Sequence, residues 1–275
     1  MIDARTKLYG IIGNPVRNSL SPIIHNGAFK RMRMNAVYVA FEVENLAEAM
    51  IAIRRLGIRG VSVTIPFKTQ VIPYLDQVDS IAGEIKAINT ISNEGGKLIG
   101  YNTDWRGAIE ALEKKVDLRN KRVILLGAGG AARAIAWGLK EKNCRVFIIN
   151  RSSDKARNLA IEFNYSPISC MNALDAHVII NATSVGMYPN NTESPLPKEV
   201  LKPGMTVMDI VYHPLKTKLL REAEERGCQT IDGLEMLARQ GAAQLQIWTG
   251  RRPEIEQIKG DLWWYWRNKC ETFQG

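Results

Sequence analysis

A chain of 275 residues is too long for one ordinary small domain and suits two modest domains or one large one. Its 45% hydrophobic and 24% charged residues exclude disorder, collagen and a coiled coil as descriptions of the whole. With 37 Lys and Arg against 28 Asp and Glu the net charge is +9. That excess attracts anions, and because the basic residues are spread along the chain rather than gathered in an arm, small anionic ligands are favoured over nucleic acid.

No apolar run approaches the roughly 20 residues that span a bilayer, and Met1–Lys7 lacks the apolar core of a signal peptide. The cysteines, Cys144, Cys170, Cys228 and Cys270, form no C-x-x-C pair, so a reduced, cytoplasmic protein is expected. His25, His177 and His213 are not spaced as metal ligands, and no metal site is expected.

In chain order, the first part alternates strands and helices. Leu8–Ile12 is a short apolar strand. Ser21-Pro22 opens a helix, with Ser21 expected as N-cap, running to about Met34. Val37–Val43 is β-branched and aromatic, hence a strand. Asn45 and Glu48 resemble a capping box ahead of Leu46, Met50, Ile53 and Leu56, and that helix stops at Gly57. Arg59–Ile65 is a third strand, ended by Pro66. Ile88–Ser92 and Lys97–Tyr101 flank Glu94-Gly95-Gly96 as a hairpin.

The middle has a different texture. Val123–Leu126, Val146–Ile149, Val178–Ile180 and Val207–Val211 are apolar on both faces, as in a parallel sheet covered on each side. Helical stretches separate them at Ala131–Glu141, Asp154–Phe163 and Leu215–Arg226. The expected class is α/β: a Rossmann-type doubly wound parallel sheet plus a smaller α/β domain. From Gly233 the chain reads as a helix through Trp248, breaks at Gly250 and restarts after Pro253. No linker is visible, which argues for two domains that share helices.

Gly127-Ala128-Gly129-Gly130-Ala131-Ala132 fits G-x-G-x-x-A after a strand and before a helix. Gly127 suits the tight turn, Gly129 lets a diphosphate approach the backbone, and Ala132 permits close helix–strand packing. The phosphates would face free N–H groups at a helix N-terminus. At the end of the next strand an NAD protein typically has Asp or Glu for the ribose 2′-hydroxyl. Here stand Asn150-Arg151-Ser152, with Lys155 beyond: a guanidinium fork and a further positive charge that suit a 2′-phosphate. NADP is therefore the expected cofactor.

Four other segments sit on loops where sites are built. Gly13–Pro22 offers Ser19 and Ser21 ahead of a helix. Val63–Lys68 ends a strand with Thr64 and Lys68. Ala87–Thr90 and Gly100–Asp104 bring Asn89 and Asp104 to strand ends. With Asn181–Met187, Asp209–Tyr212 and Gly233–Gln240, these segments resemble the shikimate dehydrogenase family from about Tyr9 to Trp248. The resemblance implies NADP-linked, reversible reduction of 3-dehydroshikimate to shikimate in aromatic amino-acid biosynthesis. It implies Lys68 and Asp104 as the catalytic pair. Ser19, Ser21, Thr64, Asn89, Tyr212 and Gln240 would hold the substrate. Gly127, Ala128, Gly129, Gly130, Ala131, Asn150, Arg151, Ser152, Thr183, Gly233 and Met236 would line the cofactor.

Substrate residues then fall at both ends of the chain. Residues 1–105, completed by 237–275, are expected to form the substrate domain, and 106–236 the NADP-binding domain. The family often has His where Asn18 stands, and a small residue where Trp105 and Arg106 follow Asp104, which could crowd that side of the site. The tail Asp261–Arg267 reads as a terminal helix packing its aromatics on the first domain, or as a self-association or membrane-surface patch. A quinate/shikimate dehydrogenase is the nearest alternative function. A non-catalytic NADP-binding sensor is the alternative from another class, although it would be free to lose Lys68 or Asp104. The partners expected are the small-molecule substrate and a second copy in a homodimer, with neither nucleic acid nor membrane.

Overall fold

The computed structural model describes residues 2–167 and 175–269; Cys170 and Cys270 lie outside them. The described chain divides into two compact units, one running to Thr103 and resuming at Gln240, the other spanning Asp104–Arg239. Among the described residues no helix is long and apolar enough to cross a membrane.

The first unit contains β1 (Lys7–Gly13), α1 (Ser21–Arg31), β2 (Ala36–Glu42), α2 (Leu46–Arg55), β3 (Gly60–Val63), β4 (Gln77–Val78), α3 (Ser80–Ile85), β5 (Thr90–Glu94) and β6 (Lys97–Tyr101). Its sheet has the order β2-β1-β3-β5-β6-β4. β1 pairs in parallel with β2 and β3, whereas β5 runs antiparallel to β3 and β6. The register sets Ser62 opposite Thr90 and Thr90 opposite Tyr101. The C-terminal ends of β1, β3 and β6 and the N-terminal end of β5 therefore share one edge of the sheet. Strand alternation covers both faces. Ile12 joins Met50, Ile53, Val61 and Leu98 on one side, while Tyr9 and Ile11 join Phe29, Tyr38 and Leu245 on the other.

The second unit contains α4 (Asp104–Glu113), β7 (Arg122–Leu126), α5 (Gly130–Glu141), β8 (Arg145–Ile149), α6 (Ser153–Phe163), β9 (Ser166–Pro167), β10 (Val178–Asn181), β11 (Thr206–Asp209), α7 (Lys218–Glu225) and β12 (Gln229–Ile231). The order β12-β11-β10-β7-β8-β9, every pair parallel, is the doubly wound arrangement that the four apolar runs imply. The order reverses between β7 and β10, and the crevice outside the strand ends at such a switch point is where these sheets bind ligands. α8 (Gly233–Thr249) starts in this unit and continues into the first, and α9 (Ile255–Lys269) follows.

Several local expectations need correction. Leu20, not Ser21, is the N-cap of α1, because the Ile23 and Ile24 N–H groups donate to the Leu20 carbonyl at 3.1 and 3.3 Å, so the first turn already includes Ser21; the Ser19 hydroxyl accepts from the Ser21 N–H at 3.2 Å. That helix ends at Arg31, and Arg33 turns the chain at φ +54°. Asn45 does cap α2, accepting from the Ala47 and Glu48 N–H groups, but Glu48 accepts from the Asn45 side chain rather than from its backbone. α7 starts at Lys218 rather than Leu215, since Thr217 accepts from the Leu220 N–H. The tail helix buries Ile258 and Leu262 and binds Arg31 through Asp261 at 2.8 Å, yet Trp263 and Trp264 point outward, 47% and 69% exposed. The expected aromatic packing therefore does not extend to these two rings.

Candidate active site

At the second sheet's switch point, β7 runs out into Gly127, whose φ of +115° excludes ordinary side chains. A Cβ there would lie 2.9 Å from the Ala182 carbonyl oxygen and 3.2 Å from Thr183 Cγ2, so the turn is pressed against the loop leaving β10. Gly129 is different: it is exposed, and an added Cβ would meet nothing within 4 Å. Gly129 stands at the N-cap of α5 with no side chain over the first N–H groups. Gly130 and Ala131 open that helix half-buried, with Ala128 between the two glycines. An open helix N-terminus beside a tight glycine turn fits a diphosphate.

Beyond β8, Asn150 donates to the Ser152 carbonyl at 3.1 Å, and Ser152 caps α6 by accepting from the Lys155 N–H. The loop is thus braced from within, and it leaves Arg151 and Lys155 exposed. Two exposed cations on a braced loop fit a 2′-phosphate. Past β10, Thr183 donates its hydroxyl to Asn181 Oδ1 at 2.7 Å. Gly233 permits close approach at the start of α8, since a Cβ would lie 2.5 Å from the Ile210 carbonyl oxygen; Met236 is buried one turn on. Tyr212 is half-buried, and burial pushes its phenol above the usual range.

In the first unit, loops gather at the shared sheet edge. The Asn14 N–H donates to Ile65 O at 2.9 Å, tying the segment after β1 to the one after β3. Ser19 is half-buried and Ser21 buried. Thr64 is half-buried, and its Cγ2 fills the space a Cβ on Gly13 would need, 2.4 Å away. Lys68 is half-buried beyond the buried Phe67, and its carbonyl accepts from the Ile88 N–H at 2.7 Å. That bond ties the lysine backbone to the residue preceding Asn89. Asn89 Oδ1 accepts from the Thr103 N–H at 2.8 Å, and Nδ2 donates to Thr103 Oγ1 at 2.9 Å and to Gln240 Oε1 at 3.4 Å. Ser19, Ser21, Thr64, Lys68, Asn89 and Gln240 thus all belong to one unit. Asp104 follows Thr103 in the chain and is buried, 4% exposed, in the first turn of α4 in the other unit.

Residues 11–91 match the shikimate dehydrogenase substrate binding domain, 110–210 match shikimate / quinate 5-dehydrogenase, and 233–260 match the shikimate 5′-dehydrogenase C-terminal domain. A protein of Thermococcus kodakarensis named shikimate dehydrogenase (NADP(+)) is 47% identical over 94% of this chain and 97% of its own. The chain belongs to the shikimate dehydrogenase family. A crystal structure of a shikimate dehydrogenase in complex with NADP+ matches with a TM-score of 0.90 and 45% identity, covering 95% of this chain and 96% of the other. The Thermus thermophilus shikimate 5-dehydrogenase in complex with NADP(H) and shikimate matches at 0.88 and 36% identity, covering 93% and 98%. Of the catalytic, substrate and cofactor residues named from the sequence, Asp104 and Tyr212 fall between the three matched stretches and the others lie within them.

Within the first unit, a buried polar network lies behind Asn89 that no sequence motif marks. Tyr38 donates to Ser62 Oγ at 2.7 Å, and Ser62 donates to Gln244 Oε1 at 2.9 Å. Gln244 Nε2 donates to Asn89 O and Thr90 Oγ1, both at 3.0 Å, and Thr90 donates to Asn89 Oδ1 at 2.7 Å. His25 lies 3.1 Å from Gln244 Oε1, and burial pushes its imidazole down to about 3. The ring is therefore neutral, and since Gln244 Oε1 only accepts, the proton sits on Nε2. Burial raises the Tyr38 phenol, which also bonds the Ser21 side chain. The network runs from Ser21 to Asn89, and its one sequence signal was Gln244, one helical turn after Gln240. Trp105, expected to crowd the site, stands edge-on to Trp137 of α5 with ring centres 4.8 Å apart, and Arg106 pairs with Glu110 at 2.8 Å.

Proposed function

We propose that this protein catalyses the NADP-dependent, reversible reduction of 3-dehydroshikimate to shikimate. The observation that carries the reading is the gathering of Ser19, Ser21, Thr64, Lys68 and Asn89 in one unit of a chain whose other unit follows β7 with a tight glycine turn and an open α5 N-terminus. On this reading the unit through Thr103, with the C-terminal helices, holds substrate, and the doubly wound unit holds NADP.

Oxidising a secondary alcohol to a ketone breaks a C–H and an O–H bond. When bound, the nicotinamide supplies the hydride acceptor. Lys68 takes the hydroxyl proton through its amine as the carbonyl forms, and returns it in the reverse direction. Asp104 accepts a hydrogen bond from a substrate hydroxyl and orients Lys68. Ser19 and Ser21 donate to the substrate carboxylate without burying a counter-charge. Thr64, Asn89, Tyr212 and Gln240 hold the ring hydroxyls. Arg151 and Lys155, with the dipoles of Asn150 and Ser152, hold the 2′-phosphate.

The deciding assay is absorbance at 340 nm with shikimate or quinate, each paired with NADP or NAD. The proposal expects the largest kcat/KM for shikimate with NADP. Comparable turnover of quinate would favour the broader quinate/shikimate activity, and none with either acid would favour a binding protein without catalysis. A cytoplasmic location and a homodimer belong to the same proposal. The outward Trp263 and Trp264 support contact between copies, which light scattering tests.

A further inference from the structure

Asn181 and Asp209 end adjacent parallel strands in direct register, and neither exposes any surface. Asp209 Oδ1 accepts from Asn181 Nδ2 and from the Val211 N–H, both at 3.0 Å, while Oδ2 accepts from Thr217 Oγ1 at 2.7 Å. One carboxylate thus fixes the amide of Asn181, the chain leading to Tyr212 and the cap of α7.

Asn181 passes that constraint on. With Nδ2 held by Asp209 and by the Val185 carbonyl at 3.2 Å, its Oδ1 faces the Thr183 N–H at 3.1 Å and the Thr183 hydroxyl at 2.7 Å. Thr183 in turn accepts from the Val185 N–H at 3.1 Å. Every polar atom of the Asn181 side chain is therefore used to shape residues 183–185, the loop packed against the Gly127 turn. The amide has two orientations, and only one offers its oxygen to Thr183. A carboxylate neighbour that solely accepts selects that orientation.

We propose that Asp209 is a positioning residue for the cofactor: by fixing the Asn181 amide it holds the Thr183 loop in the shape that receives NADP beside the glycine turn. This rests on the function proposed above. Asp209 is fully buried and acts through Asn181. Burying an ionised carboxylate is costly, and burial pushes Asp209 up to about 6 despite its three hydrogen-bond donors.

Calorimetric titration with NADP+ tests the idea, beside kcat and KM. Asp209→Ala is expected to weaken NADP+ binding about tenfold, to raise the KM for NADP to match, and to change kcat at saturation less than threefold. Asp209→Asn retains Oδ1 as an acceptor and is expected to bind within about threefold of the unmutated protein. Thr217→Val removes the Oδ2 arm and the hydroxyl cap of α7 but leaves the Asn181 arm intact; it should lower the melting temperature but leave NADP+ binding within twofold. Asn181→Ala reaches the same loop from the other side and carries the test if Asp209→Ala does not fold. The proposal is overturned if the alanine variants bind NADP+ within twofold of the unmutated protein, or if Thr217→Val weakens binding as much as Asp209→Ala. Failure of the unmutated protein itself to bind NADP+ overturns the functional reading, and this inference with it.

Discussion

Two glycines two residues apart make opposite demands, which gives the cofactor turn a sharp test. Gly127→Ala places a methyl on a backbone at φ +115°, 2.9 Å from the Ala182 carbonyl oxygen and 3.1 Å from its carbon. Both neighbours are backbone and cannot rotate away. The forbidden dihedral costs about 1–3 kcal/mol, and forcing the loop apart about 1–3 kcal/mol more. At roughly 3 °C per kcal/mol for a domain of this size, the melting temperature should fall by about 6–18 °C. Gly129→Ala meets nothing within 4 Å and has an ordinary φ of −87°. Without cofactor its stability should stay within about 1 kcal/mol of the parent, because alanine's poorer fit at the N-cap offsets the gain from a less flexible unfolded chain.

With NADP+ the ranking changes. The Gly129 methyl occupies the space through which a diphosphate meets the α5 N–H groups, so binding should weaken at least tenfold. At saturating cofactor that removes about 1.4 kcal/mol of ligand-induced stabilisation. Differential scanning calorimetry of both variants with and without NADP+, beside a binding titration, measures the two effects separately. If Gly129→Ala bound NADP+ within twofold of the parent, the diphosphate would not sit at this helix end. If Gly127→Ala melted within about 2 °C of the parent, the pressed turn would be wrong.

Three further outcomes follow from the same geometry. Lys68→Ala should lower kcat by about 100-fold with a much smaller change in KM, whereas Asp104→Ala should impair both; steady-state kinetics with shikimate distinguishes them. Arg151→Ala should cost roughly tenfold or more in kcat/KM for NADP and little for NAD, because a charge-assisted bond contributes about 1.5–3 kcal/mol; equal losses would remove Arg151 from phosphate recognition. Gln244→Leu leaves Ser62 and Thr90 short of partners behind Asn89 and should cost about 2–4 kcal/mol in urea unfolding while raising the KM for shikimate; unchanged stability would mean the network closes without it.

The cofactor half was legible because its signals are local. Four apolar runs and one glycine turn, each within a few residues, specify a doubly wound sheet and its switch point. The substrate half shows its loops in sequence but not what holds them. Ser62 and Gln244 are 182 positions apart, and a single hydroxyl or amide has no periodicity to betray a partner. Ser21-Pro22 looks like a cap followed by the first helical residue, and only the geometry shows that the helix starts one residue earlier, with its first N–H groups on the Leu20 carbonyl. β4 and β9, two residues each, and the six-residue α3 are too short for a pattern to rise above composition. In the tail, Ile258 and Leu262 lie one turn apart and face inward together, which leaves the following Trp263 and Trp264 outside.

Asp209 also makes stability depend on pH in a direction the structure decides. Burial lifts its carboxyl to about 6, against about 3.9 in an unfolded chain. Protonation therefore favours the folded state: this contribution is fully present below about pH 4 and is lost as pH rises through 6. Two pH units at about 1.4 kcal/mol each make roughly 3 kcal/mol. Asp209→Asn cannot titrate, and it leaves every other ionisable group in place. Urea unfolding of both proteins from pH 4 to 7.5 should show the parent losing roughly 3 kcal/mol relative to the variant, most of it between pH 4 and 6.5. A difference that stayed flat would mean water reaches the carboxylate. A difference of opposite sign would mean that the donors from Asn181, Val211 and Thr217 outweigh burial and hold Asp209 ionised below its unfolded pKa.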